Sequence, residues 1–215
     1  YMEQISNFKK TGIAESEHDL YNFNNKYILT FDDGFKDHIF AAEQLKKKGA
    51  IGIFFISTFP YKSGALLDVH KAHLITGKMG GKKSLEMLFK YLKENKEEKF
   101  LNSKEKEKFK FAYKNQNDDL DKKEFKKIIN YYGDINKKHS ILNYLLKVFN
   151  INSNSEDFYL NKEEIKYLSD MGMILGSHSI NHTLLSRLSF DEQKNELKES
   201  KEFIEDITKR KCEIF

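Results

Sequence analysis

The sequence predicts an α/β fold made of βα units with parallel strands, interrupted by a helical insertion. Two apolar runs rich in β-forming residues, Lys26–Phe31 and Ile51–Ser57, are typical of buried strands and enclose one helical pattern. The alternation of helix and strand returns from residue 161 onward. Between these parts lies a lysine- and asparagine-rich stretch with helical apolar spacings. We therefore expect a single domain over residues 1–215 that carries an insertion at about 61–155.

The first βα unit begins after a lead-in of 25 residues that shows no firm period, for which we expect one short strand or helix. The first strand, Lys26–Phe31, runs into the polar turn Asp32–Gly34. Phe35–Lys48 then places apolar residues on one helical face and meets Gly49, a typical helix stop. A second strand at Ile51–Ser57 completes a strand–helix–strand unit, in which the strands are parallel.

The insertion is expected to be helical, because apolar residues recur at helix spacing in segments such as Leu85–Leu92 and Ile141–Phe149. Such a stretch is too long for a plain loop. Its helices would pack either on the rest of the domain or on one another, and the pattern leaves both open. The charged run Lys96–Lys110 is expected to be a solvated helix surface.

The regular alternation resumes at Asn161, which with Glu164 forms a helix-capping pair; Gly172 ends that helix, and Met173–Gly176 is a short strand.

A capping box at Ser189 and Glu192 starts a further helix that runs to about Lys209. We expect Cys212–Phe215 to begin another, buried strand.

Composition limits the classes of function. The 215 residues include 37 basic and 33 acidic side chains, interspersed and without a basic stripe, so we expect no nucleic-acid partner. Cys212 is the single cysteine, which excludes an internal disulfide and a cysteine-based metal cluster. No run approaches the roughly 18 apolar residues of a membrane span, so no transmembrane segment is expected in this chain. No signal peptide is visible, which slightly favours a cytoplasmic location but leaves the compartment open.

Two acidic residues, Asp32 and Asp33, stand side by side at the end of the first strand. Like charges at short range resist joint ionisation unless a cation neutralises one of them. A metal ion held by Asp33 would leave Asp32 ionised and able to take a proton. Asp-Gly is also a common turn pair, so this motif taken alone favours a plain turn.

Two histidines, His178 and His182, follow the strand Met173–Gly176. Alone, this spacing is a weak signal and favours two ordinary surface histidines. With Asp33 it makes three protein ligands, the number in a catalytic zinc site whose fourth position holds water. Both motifs follow strands, at the end where α/β barrels place their active sites. We expect a divalent metal there, Zn²⁺ first and Co²⁺, Ni²⁺ or Mn²⁺ as alternatives, with Asp32 as the general base.

The same residues carry a resemblance to a known family. Thr30–Gly34 (TFDDG) resembles the first motif of the polysaccharide deacetylases, the NodB-homology domain of carbohydrate esterase family 4, and His178–His182 (HSINH) resembles their second motif. Asp68–His73 is similar to a stretch in some members. The resemblance covers roughly residues 26–59 and 160–215. It implies a distorted (β/α) barrel, of which this chain would hold the N-terminal part.

The resemblance also implies roles for single residues. Asp32 matches the general base, Asp33, His178 and His182 match the metal ligands, and Ser179 matches a hydroxyl that braces the loop. The implied activity is metal-dependent removal of N-acetyl groups from a sugar or polysaccharide, with an N-acetylated glycan or sugar precursor as partner. The substrate-binding residues stay unassigned. Two alternatives remain open: an O-acetyl carbohydrate esterase that uses the same site, and a catalytically inactive carbohydrate-binding relative.

The sequence departs from the family pattern at its C-terminal end. The third motif, which helps to form the oxyanion site, and a later motif, whose histidine is the general acid, are not found before Phe215. We therefore expect a domain that is incomplete at its C-terminus.

The remaining histidines have weaker functional signals. His18 and His139 are expected at the surface, and His38 is expected to be structural. His70 and His73 fit either an ordinary helix start or the mouth of the site.

Overall fold

The structure, a computed structural model, describes residues 12–20, 26–97 and 99–215, and the chain divides into two compact units. The first unit comprises Tyr1–Gly64 and Ser155–Phe215, and the second comprises Ala65–Asn154. The expected insertion spans the second unit, and its status as an insertion stays a prediction. The expected lead-in lies partly outside the described residues, at 1–11 and 21–25. Within its described part, Glu17–Leu20 forms a short 3₁₀ helix.

The described residues of the first unit contain one parallel sheet, in the order β1–β2–β3: Leu29–Phe31 (β1), Gly52–Ile56 (β2) and Ile174–Ser177 (β3). The register pairs Phe31 with Phe54 and Ile56 with Ser177. Because the strands are parallel, the segments that follow them meet at one edge of the sheet. This confirms the mixed α/β class with parallel strands, while barrel closure stays a prediction.

The described α-helices are, in chain order, α1 (His38–Lys47), α2 (Phe59–Ser63), α3 (Asp68–Met79), α4 (Gly81–Glu94), α5 (Ser103–Lys108), α6 (Leu120–Lys127), α7 (Lys138–Val148), α8 (Lys162–Asp170) and α9 (Phe190–Thr208). A π-helical turn, Ile128–Tyr132, follows α6 directly. In the part of the chain that the structure describes, no helix has both the length and the apolar character needed to cross a bilayer.

The two predicted helix starts of the first unit are confirmed. Asn161 and Glu164 form a reciprocal capping box at α8, and Ser189 and Glu192 form one at α9. The helix expected over Phe35–Lys48 begins later, at His38, because the chain first makes a turn.

The core of the first unit lies around the sheet. Its buried apolar residues come from the strands, from α1, α8 and α9, and from the flanking segments: Ile13, Phe31, Ala41, Ala42, Leu45, Ala50, Phe54, Ile56, Leu160, Ile165, Leu168, Met173, Leu175, Ile204 and Cys212. β2 is buried along almost its whole length, as its unbroken apolar sequence requires.

The second unit has a hydrophobic core of its own. Its helices α3, α4, α6 and α7 bury a separate cluster with the π-helical turn: Ala72, Ile75, Leu88, Leu92, Phe100, Phe125, Ile128, Ile129, Tyr132, Ile141, Leu142, Leu145 and Leu146. The helices expected in this stretch therefore pack on one another. The charged run expected at Lys96–Lys110 contains α5, which buries none of its residues.

The C-terminal segment differs from its prediction. Cys212 is buried at 4% exposure, as expected, but Cys212–Phe215 does not form a strand. The Ser177 N–H donates to the Ile214 carbonyl at 2.9 Å, so the segment lies beside β3 without a regular ladder.

Candidate metal centre

One side of the candidate site is the turn after β1. Asp33 and Gly34 both have left-handed backbones, with φ angles of 75° and 71°. A side chain at Gly34 would meet Ile56 Cδ1 at 3.2 Å, so glycine suits both the conformation and the space. The Gly34 carbonyl accepts a hydrogen bond from the Leu160 N–H at 2.9 Å. The turn thus reverses the chain immediately after the strand and holds Asp33 at the sheet edge.

The other side is the loop His178–His182, which follows β3. Its backbone continues the contact between β2 and β3 beyond the strands. The His178 N–H donates to the Ile56 carbonyl at 3.0 Å, and the Ser179 carbonyl accepts from the Thr58 N–H at 3.2 Å. The Ser57 hydroxyl donates to the His178 carbonyl at 3.0 Å. The loop is therefore attached to the end of the central strand.

The loop is strained at two of its residues. Ser179 and His182 have φ angles of 60° and 52°, which residues other than glycine rarely adopt. The Ser179 side chain is buried, and its hydroxyl accepts a hydrogen bond from the His182 N–H at 3.1 Å. This contact agrees with the bracing role that the family resemblance implies for Ser179. Backbone strain of this kind persists where the surrounding structure enforces it, and it is concentrated at functional sites.

The two sides bring three predicted ligands together. Asp33 Oδ1 lies 3.5 Å from His178 Nε2 and 3.4 Å from His182 Nε2. One ligand-capable atom from each of the three residues lies within 4.8 Å of the others. The two imidazole rings meet edge to face, with centroids 4.9 Å apart.

The donor set fits a divalent metal in both chemistry and spacing. Ligand atoms about 2.0–2.1 Å from a tetrahedral ion lie about 3.3–3.4 Å from one another. The two distances from Asp33 Oδ1 are close to this value. One carboxylate and two imidazoles are ordinary Zn²⁺ ligands. The three side chains remain partly accessible, at 17%, 29% and 33% exposure for Asp33, His178 and His182, although the Asp33 Oδ1 atom itself is buried.

Asp32, the predicted general base, lies between β1 and Asp33 and is exposed to solvent. Asp32 thus lies next to a predicted metal ligand, as expected of the general base, and its role as the base stays a prediction.

His38 lies behind this turn and is buried, with 4% of its surface exposed. Its ring contacts Phe31, Phe35 and Phe54 at centroid distances of 5.7–6.0 Å. Burial lowers the pKa of the His38 imidazole below its usual range, although the carboxylates of nearby aspartates oppose this shift. These contacts support the structural role predicted for His38.

The other histidines lie away from these loops in sequence. His18 is exposed, as predicted. His139 is only partly exposed and lies 2.8 Å from Asp68 through Nδ1. His70 and His73 belong to α3, and burial lowers the pKa of His73. Their proposed access to the site mouth stays a prediction.

Sequence reasoning missed Glu196, a buried carboxylate on α9. It accepts hydrogen bonds from the loop between His178 and His182. A signal was present, because Glu196 shares the spacing of four residues with Ser200 and Ile204, which are also buried. An acidic residue in such a stripe needs polar partners.

A protein family and a solved deacetylase structure are similar to parts of this chain. Residues 142–215 match the family model described as polysaccharide deacetylase. A solved structure, the Streptococcus pyogenes deacetylase PplD in complex with acetate, is similar over 92% of this chain and 51% of its own, with 14% sequence identity and a TM-score of 0.44. The chain thus spans about half the length of that deacetylase. No curated protein sequence matches the chain.

Proposed function

We propose that this chain carries part of a polysaccharide deacetylase domain, since residues 142–215 match that family's model, and that it is the metal-binding part of a hydrolase that removes N-acetyl groups from a sugar or polysaccharide. The family match supports deacetylation as the general activity. The N-acetyl sugar, the metal and the residue roles are the specific content of the proposal.

The observation that carries the proposal is the convergence of Asp33 with His178 and His182. The family match covers the two histidines but not Asp33, which lies far earlier in the chain. The parallel sheet nevertheless brings Asp33 Oδ1 to 3.5 and 3.4 Å from the two imidazoles. A chance pair of surface histidines would not be expected to meet the predicted carboxylate at ligand spacing.

In this proposal Asp33, His178 and His182 hold one divalent ion, with Zn²⁺ as the expected metal and Co²⁺, Ni²⁺ or Mn²⁺ as alternatives. When bound, the ion would lower the pKa of a water molecule. It would also place a positive charge near the oxygen of the acetyl group. The protein's part is to fix the three ligands on two strand-end loops and to leave one side open to solvent.

Asp32 is proposed as the general base. It is exposed at the same strand end and directly precedes Asp33 in the chain. An ionised carboxylate there can accept the proton of the attacking water, while Asp33 stays committed to the metal. The hydroxide part of the water adds to the acetyl carbonyl, the bond from that carbon to nitrogen breaks, and the nitrogen takes up the proton removed from the water, which gives acetate and a free amine.

The sheet supports a matching proposal for the fold. The parallel strands β1, β2 and β3 are each followed by a helix, so they would be the beginning of a (β/α) barrel, and the second unit would be an insertion between β2 and α8. The site at the carboxyl ends of the strands is where such barrels carry their catalytic residues.

Acetate release tests the proposal. The full-length gene product is purified and incubated with N-acetylglucosamine oligomers and, in parallel, with a chromogenic acetate ester, after chelator treatment and after Zn²⁺ is restored. We expect acetate release from the oligomer that chelation abolishes and Zn²⁺ restores. Zn²⁺-dependent release from the ester alone would favour an O-acetyl esterase. Stoichiometric metal binding without release from either substrate would favour an inactive relative.

A further inference from the structure

We propose that Glu196 is a positioning residue for the metal centre, which sets the separation of His178 and His182 by binding the peptide N–H groups of Ile180 and Asn181 between them. This inference rests on the proposed function, because it assumes that the two histidines hold a metal ion.

Glu196 is placed where a carboxylate is costly. The buried residues of α9 are Glu196, Ser200, Ile204 and Thr208, which recur every four residues and form one stripe along the helix. Glu196 is only 6% exposed. An ionised group at such a position must find strong hydrogen bonds, because burial removes most of its contact with water.

In the described structure, the hydrogen-bond partners of the Glu196 carboxylate come from the histidine loop. Oε2 accepts from the Ile180 N–H at 2.8 Å and from the Asn181 N–H at 2.9 Å. Oε1 accepts from the Asn181 side-chain amide at 2.5 Å. A carboxylate accepts without donating, so both of its oxygens match these N–H groups, and hydrogen bonds to a charged acceptor are stronger than neutral ones.

These contacts lie between the two predicted ligands and between the two strained residues. Ile180 and Asn181 are flanked by Ser179 and His182, both with left-handed backbones. Such conformations persist only when neighbouring contacts enforce them. Glu196 supplies contacts of this kind from the helix side, while Phe59 supplies one from the β2 side, its N–H donating to the Ile180 carbonyl at 3.0 Å.

The same stripe of α9 also holds the start of the loop. The Ser200 hydroxyl lies 2.5 Å from the Ser177 hydroxyl and donates to the Glu196 carbonyl at 2.6 Å. Thus α9 holds the end of β3 through Ser200 and the following turn through Glu196. The helix touches neither imidazole in these contacts, so its effect on the metal acts through the loop backbone.

Glu196→Gln tests the proposal, because it keeps the side-chain shape but replaces one acceptor oxygen by an NH₂ group that faces N–H donors. The readouts are the affinity for Co²⁺, followed through its visible absorption bands, and the thermal unfolding of the metal-free protein. We expect the affinity for Co²⁺ to be weaker by about 10- to 100-fold, which is the usual cost of losing a residue that orients metal ligands. The absorption bands of the Co²⁺ that still binds should shift, because the ligand geometry changes.

Two controls separate positioning from stability. Glu202→Gln makes the same chemical change at an exposed site of the same helix and should leave Co²⁺ binding unchanged. Ile204→Ala, on the same buried stripe, should lower the unfolding temperature without altering the Co²⁺ bands of the folded protein. If Glu196→Gln does not fold, Asn181→Ala takes its place, since it removes one donor from an exposed loop residue and should weaken binding several-fold.

The outcomes are distinct. Unchanged Co²⁺ affinity and bands in a folded Glu196→Gln protein, or in Asn181→Ala where that variant replaces it, would overturn the positioning role and leave the metal site intact. Failure of the wild-type protein to bind Co²⁺ would overturn the metal site itself, and the positioning role with it.

Discussion

The two units of the molecule differ in what surrounds their charged side chains. In the second unit, each of two buried lysines faces an aspartate. Lys71 is 1% exposed and lies 3.3 Å from Asp68, and Lys126 is 6% exposed and lies 2.7 Å from Asp118. Each of these ammonium groups meets its opposite charge inside the unit, so no external ion is needed to neutralise them.

At the strand ends of the first unit, the side chains that come together can all bind a cation. Asp33 is joined by His178 and His182, whose nitrogen atoms are electron-pair donors when neutral. Three groups that bind cations therefore point towards one another. The comparison teaches that a buried charge alone does not mark a functional site. What distinguishes the candidate site is that its three side chains can all bind the same cation, whereas each buried lysine lies beside an aspartate of opposite charge.

The largest effect is expected at Asp32. In the full-length gene product, Asp32→Asn should lower turnover on an N-acetylated sugar oligomer by about 10²–10⁴-fold, the usual contribution of a general base. Metal content should be nearly unchanged, because Asp32 is proposed to move a proton and not to hold the ion. Steady-state kinetics and metal analysis of the same preparation check both halves. A variant that keeps more than about a tenth of wild-type turnover would reduce Asp32 to a positioning role.

A smaller effect, on stability, is expected in the second unit. Asp68→Asn removes the carboxylate from the buried Lys71, and breaking a buried pair in this way should cost about 3 kcal/mol of unfolding free energy. The double variant Asp68→Asn, Lys71→Met should recover part of this loss, because it also removes the buried Lys71 cation. The rest should remain, because Lys138 and His139 also lie beside the Asp68 carboxylate. Chemical denaturation measures these differences.

Asp170→Asn is the matched control, since it makes the same change in an exposed pair with Lys166 and should cost less than about 1 kcal/mol. Equal losses at Asp68 and Asp170 would contradict the view that burial gives the Asp68 pair its importance.

The smallest effect concerns pH and His38. Because burial lowers the pKa of His38 in the folded state, the unfolded chain binds a proton first as the pH falls below about 6.5. Protonation therefore favours unfolding, and stability should fall with acidity by at most about 1.4 kcal/mol per pH unit from this group.

Comparison with His38→Phe isolates this contribution, since phenylalanine suits the surrounding aromatic rings and does not titrate. Chemical denaturation in the presence of chelator, between pH 7 and pH 5.5, should show that the variant loses less stability on acidification than the wild type. Identical slopes would mean that His38 is protonated as easily in the folded protein as in the unfolded chain.

Local sequence signals predicted much of the first unit. The apolar runs around β1 and β2 and the capping residues Asn161 and Ser189 act over a few residues, so they can be read from the sequence. The two site motifs were also visible, since each directly follows a strand.

Other features depend on contacts between distant segments. β1 is shorter than the run Lys26–Phe31, because strand length is set by pairing with β2 and not by composition alone. Glu196 was missed because its partners lie 15 and 16 residues away, on a loop whose path only the fold determines. Cys212–Phe215 has a strand-like composition but no regular ladder in the described structure.

Metal binding by the wild type and by His182→Ala tests the central claim most directly. After chelator treatment and reloading with Zn²⁺, the wild type should hold one ion per chain, and a competing chelator gives its affinity. His182→Ala should weaken the affinity by more than about 100-fold, beyond the usual cost of changing a residue outside the ligand set. His18→Ala, at an exposed histidine, should bind as the wild type does. One ion per chain in His182→Ala, held with wild-type affinity, would contradict the site formed by Asp33, His178 and His182.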